Sequence, residues 1–134
     1  MTEQRLADTR ILVVDDDQDI LSSVSLVLRA EGADVQTAAD GNTAVQMCAH
    51  DEPYDLVVLD MMLPKRSGFL VLEKLKQLED PPVVIMVTAN EGKRHLAYAE
   101  SLGVDGYMQK PVPLQRLVDR AVELLDAQAE AYEE

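Results

Sequence analysis

Five residues of this chain could do chemistry together, and each stands where a short hydrophobic run stops. Residues 11–14 (Ile-Leu-Val-Val) end at Asp15 and Asp16, and residues 56–59 (Leu-Val-Val-Leu) end at Asp60. Residues 83–87 end at Thr88, and residues 106–109 end at Lys110, which precedes Pro111. Gathered at one place, three carboxylates would repel: like charges about 4 Å apart cost roughly 4 kcal/mol at an effective dielectric of about 20. Such a cluster persists where a divalent cation or a lysine neutralises it. An all-oxygen carboxylate set suits Mg²⁺, which keeps several waters and prefers one or two carboxylates plus phosphate oxygens. Lys110 adds a point charge of the kind that binds phosphate, and Thr88 adds a hydroxyl.

Each signal alone has a plainer explanation. Three aspartates ahead of a helix serve as caps in a solvated loop, Thr88 alone is a strand-end cap, and Lys-Pro alone is a loop. The acidic run does not fit an EF-hand, whose sixth position needs Gly where this chain has Leu21, counting from Asp16. It is the recurrence at four successive strand ends that outweighs the plain readings.

Short Val- and Ile-rich runs bounded by polar residues read as strands buried on both faces of a parallel sheet, and ligands of such sheets sit beyond the carboxyl ends of the strands. The runs alternate with segments of helical period. Ile20, Val24, Val27, Leu28 and Glu31 mark one helix face before Gly32, with Asp17 and Asp19 at its start. Residues 33–38 form a weaker, more polar second strand, and a helix over 43–49 follows the turn at Asp40, Gly41 and Asn42. Ser67 and Gly68 open a helix carrying Phe69, Leu72, Leu75 and Leu78, which stops before Pro81. A shorter polar helix spans 92–102. Pro113 suits a first helical position, and Leu114, Leu117, Val118, Ala121, Leu124 and Leu125 follow at helical spacing. Five strands alternating with five helices imply an α/β sheet, mostly parallel and covered on both faces.

The chain has 134 residues, enough for one domain with a core of about 10–125, leaving 126–134 as a helix extension or linker. With 25 acidic residues against 12 Lys plus Arg, its net charge is −13, which repels nucleic acid phosphates. Trp is absent and only four Tyr and one Phe are present, so stacking on bases or sugars is not a leading function. No apolar run approaches the roughly 20 residues of a membrane span, and the polar start lacks the apolar region of a signal peptide. The lone Cys48 cannot form an internal disulfide and reads as helix filler. We expect a cytoplasmic protein with no membrane contact.

At these residues the sequence resembles the response-regulator receiver domain, the CheY-like family of two-component phosphorelay systems. ILVVDDD at 11–17, DLVVLDMMLP at 55–64, VIMVTA at 84–89 and GYMQKPV at 106–112 carry the resemblance, which extends over about 10–125. It implies a doubly wound, flavodoxin-like (βα)5 fold with a five-stranded parallel sheet of order 2-1-3-4-5. It implies Asp60 as phosphoacceptor, with Asp15, Asp16, Asp60 and the Met62 backbone carbonyl holding Mg²⁺. Thr88 and Lys110 match the phosphoryl-binding hydroxyl and ammonium, Tyr107 matches an aromatic switch residue, and the Lys110-Pro111 bond matches one that is cis in the family. The donor implied is a phosphohistidine on a sensor histidine kinase or phosphotransfer protein. The response implied is a changed helix 4–strand 5–helix 5 surface that controls an output domain or target protein. Homodimerisation through that face is left open, and no direct nucleic acid binding is implied. Such a domain catalyses only its own phosphorylation and dephosphorylation.

Two positions tune dephosphorylation in the family, Met62 and Asn90 here. Met62 cannot orient a water as a polar side chain could, which predicts a long-lived phosphoryl group. His50 and His95 match no motif and are expected in solvent. A haloacid-dehalogenase-type hydrolase uses the same residue types, but its Asp-x-Asp nucleophile lies on the first strand, whereas Asp60 ends the third. A phosphate-independent scaffold of the same fold is the remaining alternative, and the intact acidic set argues against it.

Overall fold

The computed structural model describes residues 4–89 and 93–133. Five strands and five helices alternate: β1 (Arg10–Val14), α1 (Gln18–Ala30), β2 (Asp34–Ala38), α2 (Gly41–His50), β3 (Leu56–Asp60), α3 (Gly68–Lys76), β4 (Val83–Thr88), α4 (Lys93–Ser101), β5 (Gly106–Gln109) and α5 (Leu114–Glu133). The strands form one parallel sheet in the order β2-β1-β3-β4-β5. The fold is therefore the flavodoxin-like (βα)5 arrangement expected from the sequence.

Strand side chains alternate between faces, and this sorts the core into two layers. Ile11, Val13, Leu56, Val58, Val83, Ile85 and Val87 face α1 and α5, packing on Leu21, Val24, Leu28, Leu117, Val118 and Ala121. Leu12, Val14, Val57, Leu59, Val84 and Met86 face the other way, onto Ala44, Val71, Leu72, Leu75 and Ala99. The same parity carries past the strand ends. Asp15 and Asp60 continue the α1/α5 series, while Thr88 continues the series that faces α4.

Helix starts are set by side chains that satisfy free backbone N–H groups. The Asp17 carboxylate accepts from the amides of Asp19 and Ile20, Asp40 from Thr43, and Ser67 from Leu70. Asp40 begins α2 at Gly41, two residues before the apolar pattern does. At the far end of the chain, the stretch after Leu125 extends the last helix, which runs unbroken to Glu133.

The core also reaches further back than the strand pattern indicated, because Leu6 is 1% exposed and belongs to the α1/α5 layer. Its amide donates to the Glu31 carbonyl at 2.8 Å, and Arg5 pairs with Asp119 of α5 at 2.7 Å. This segment crosses the end of α1 at Gly32, whose φ of 96° and close approach to Gln4 and Ala7 suit glycine.

Candidate functional site

The sheet edge brings together the residues that the strand ends predicted. Asp15 and Asp60 are 3% and 4% exposed, Thr88 is fully buried, and Asp16 is exposed. Ligand oxygens of Asp15, Asp16 and Asp60 all lie within 4.8 Å of one another. Lys110 Nζ stands between the buried pair, 2.9 Å from Asp15 Oδ2 and 3.4 Å from Asp60 Oδ1.

The backbone aims these groups. The Asp15 amide donates to Ala38 O at 3.2 Å, and the Asp15 Oδ1 atom accepts from the Asp17 amide at 2.9 Å, which turns the chain sharply into α1. Met61 N–H bonds Val87 O, and the Met62 amide donates to Asp60 Oδ1 at 3.4 Å. Gly68 folds back so closely that a β-carbon there would run into the Asp60 carbonyl and the Met61 backbone. Its amide donates to Met61 O at 2.9 Å, holding the loop of Asp60 against the start of α3. Lys110 is placed by its amide, which donates to Thr88 O at 2.8 Å, and the following peptide bond to Pro111 is cis.

Burial, followed by the Asp15 charge, holds the Asp60 carboxyl above its ordinary range, and Lys110 and the Met62 amide pull the other way. For Lys110, burial disfavours the ammonium. The bond to Asp15 and the charges of both carboxylates outweigh it and leave the ammonium firmly protonated. Among the described residues, three carboxylates against one ammonium leave a negative balance. The oxygen-only donor set and the residual charge fit a hard divalent cation such as Mg²⁺.

Tyr107 and Thr88 lie on the opposite face of the sheet from the carboxylates. Tyr107 is half-buried, with its pKa raised by burial and the Thr88 side chain pulling the other way, and its hydroxyl reaches Met61 Sδ at 4.0 Å. On the carboxylate side, a cleft of about 510 Å³ opens between α1 and α5. It is lined by Ile20, Val24, Val58, Val87 and Leu114, and Asp15, Asp60 and Lys110 stand at its end.

Sequence reasoning missed this cleft, since it depends on how far α1 and α5 stand apart. It also misplaced His95, which is half-buried against Phe69 (ring centroids 5.9 Å apart) with Nδ1 enclosed and unpartnered. His50 is exposed as expected, and Asn90 lies outside the described residues.

Topology and site together define a flavodoxin-like domain whose acidic edge could hold a cation. The family model of the response regulator receiver domain matches residues 11–122, and the chain belongs to that family. Among solved structures, it is similar to a CheY-like response regulator receiver domain protein from Methanospirillum hungatei JF-1, with 33% identity and a TM-score of 0.87, covering 92% of this chain and 98% of that one. A response regulator receiver domain protein from Clostridium thermocellum matches at 27% identity and a TM-score of 0.84, covering 92% and 98%. The Thermotoga maritima response regulator DrrB, an OmpR/PhoB homolog, matches at 31% identity and a TM-score of 0.79, covering 90% of this chain and 54% of that one. Receiver domains serve phosphorylation-dependent signalling, with histidine kinases or phosphotransfer proteins and output domains as partners. They generally bind Mg²⁺ at an acidic pocket. Among the described residues, no helix is long and apolar enough to cross a membrane.

Proposed function

We propose that this chain is a phosphorylatable switch in which Asp60 accepts a phosphoryl group from a phosphohistidine of a sensor kinase or phosphotransfer protein. The observation that carries this is the Asp60 carboxylate itself, buried at the end of β3 and held among Asp15, Asp16 and Lys110. Lys110 and the Met62 amide both engage Oδ1, which leaves Oδ2 to attack. Its bond to phosphorus forms as the phosphorus–nitrogen bond of the donor breaks, and the imidazole leaves with the electron pair. Burial raises the basicity of Asp60, which strengthens it as a nucleophile. The product is an acyl phosphate.

Asp15, Asp16, Asp60 and the Met62 carbonyl are the residues that would hold Mg²⁺, which supplies positive charge against the phosphoryl oxygens when bound. Lys110 lies close enough to Asp60 to neutralise the same oxygens. Phosphorylation adds negative charge and strong acceptors beside Thr88. For Thr88 to bond the phosphoryl group, its hydroxyl must turn from the Tyr107 side of the sheet toward the new acceptor. Tyr107 and Thr88 thus form the switch pair, and the surface that responds is that of α4, β5 and α5. The apolar cleft beside Asp60 gives the donor protein a surface against which to align its phosphohistidine.

Treatment with acetyl phosphate and Mg²⁺ tests the reading by intact-mass spectrometry. The expected result is a gain of one phosphoryl group that disappears in Asp60→Asn. Turnover of an external phosphoester instead would favour a hydrolase, and no gain would favour a phosphate-independent scaffold.

A further inference from the structure

Met61 and Met62 are chain neighbours in opposite surroundings. Met61 is 1% exposed in the core, whereas Met62 is 69% exposed. The Met62 amide donates to Asp60 Oδ1 at 3.4 Å, which holds its backbone beside that carboxylate while its side chain stays mostly exposed. A thioether placed there is open to two-electron oxidants, while Met61 and the fully buried Met86 are shielded.

We propose that Met62 is an oxidative modification site that sets the lifetime of the phosphoryl group, an inference that rests on Asp60 being the phosphoacceptor. With hydrogen peroxide as the oxidant, a sulfur lone pair attacks one peroxide oxygen. The O–O bond breaks, the S–O bond forms, and the other oxygen leaves as water after proton transfer. Sulfur loses two electrons and the peroxide gains them.

The physical change is local. A thioether sulfur is a weak hydrogen-bond acceptor, and a sulfoxide oxygen is a strong, polar one. Hydrolysis of an acyl phosphate requires a water from solvent behind phosphorus, and Met62, bonded to Asp60 through its amide, is the exposed side chain next to that carboxylate. Methionine leaves the water unheld, and the sulfoxide accepts a hydrogen bond from it and lengthens its stay. Because Met62 packs into neither core layer, the fold tolerates the change, which would not hold at Met61 or Met86.

Full-length protein is treated with graded hydrogen peroxide, mapped by peptide mass spectrometry, labelled with acetyl phosphate and followed for loss of the label. The expected result is that Met62 gains one oxygen before Met61 and Met86 do. Dephosphorylation should then run about fivefold faster, the factor that one added hydrogen bond to the attacking water supplies. Methionine sulfoxide reductases should restore the slow rate. In Met62→Leu, peroxide should produce no acceleration. In Met62→Gln, the amide oxygen should accelerate hydrolysis without peroxide. Selective Met62 oxidation with an unchanged lifetime overturns the inference, as does equal acceleration in Met62→Leu. Failure of the untreated protein to label at Asp60 would instead sink the phosphoacceptor reading, so the two failures are distinguishable.

Discussion

Helices α1 and α4 flank the same functional edge and are held in contrasting ways. Helix α1 is capped by Asp17, buries Leu21, Val24, Ser25 and Leu28, and sends Arg29 to the Val35 carbonyl at 2.9 Å. Helix α4 buries Ala99 alone among its nine residues and carries mostly polar side chains. Its further grip comes from Phe69 of α3, whose ring meets Tyr98 edge-on at 5.0 Å and lies against His95. The carboxylates extend the strand series that faces the firmly packed α1/α5 side, and Thr88 and Tyr107 belong to the α4 side. Under the proposed function, the reacting carboxylates stand on the firmly packed side, and Thr88 and Tyr107 face the sparsely packed α4, the element nearer the low-stability end of the fold.

The strongest way to break this comparison is to excavate both helices. Leu28→Ala, at a fully buried position, should cost about 3 kcal/mol in urea unfolding. Tyr98→Ala, at a residue 50% exposed, should cost about 1 kcal/mol. Equal losses would remove the contrast.

A smaller effect concerns the edge itself. The Asp60 carboxyl is held above its ordinary range in the folded protein, so the folded state binds its proton more tightly than the unfolded chain does. Stability associated with that proton is present at low pH and lost as pH rises through the raised value. Without Mg²⁺, Asp60→Asn should therefore be more stable than the parent by about 1 kcal/mol at pH 7. The advantage should shrink as pH falls toward 3.8, the ordinary aspartate value. Urea titrations at several pH values read it, and an advantage constant with pH would remove burial of charge as the cause. Added Mg²⁺ should stabilise the parent and close the gap.

The smallest effect sharpens the comparison on the α4 side. Phe69→Leu keeps apolar bulk but removes the ring contacts, at a cost of about 0.5–1 kcal/mol. Hydrogen exchange should quicken in α4 and stay as it was in α1. Uniform quickening would mean that Phe69 serves the whole core.

The main frame was legible because it rests on short-range signals. Strand parity, Asp17 and Ser67 as caps, and polar residues at the strand ends are all local, and they located Asp15, Asp16, Asp60, Thr88 and Lys110 at one edge. What escaped notice depends on distant partners. Leu6 is a single apolar residue in a polar stretch, with no period to mark it, and it is buried only because the end of α1 passes beneath it. Lys76 reads as an ordinary helix-end charge, yet it pairs at 2.6 Å with Asp105, just ahead of β5. The burial of His95 depends on Phe69, and the α1–α5 cleft depends on the spacing between whole elements.

The length of α5 has a mechanical consequence. Its twenty residues make a rod about 30 Å long, held as far as Leu125 by Leu117, Val118 and Ala121 in the core, by Val122, Leu124 and Leu125 packed against it, and by Arg5 on Asp119. A rod gripped at one end converts angle into distance. Beyond Leu125 about 12 Å of helix remains, so a tilt of about 10° at that point would sweep the far tip through about 2 Å, given the rise per residue of a helix. A displacement too small to register at the sheet edge would be legible at the other end of the lever.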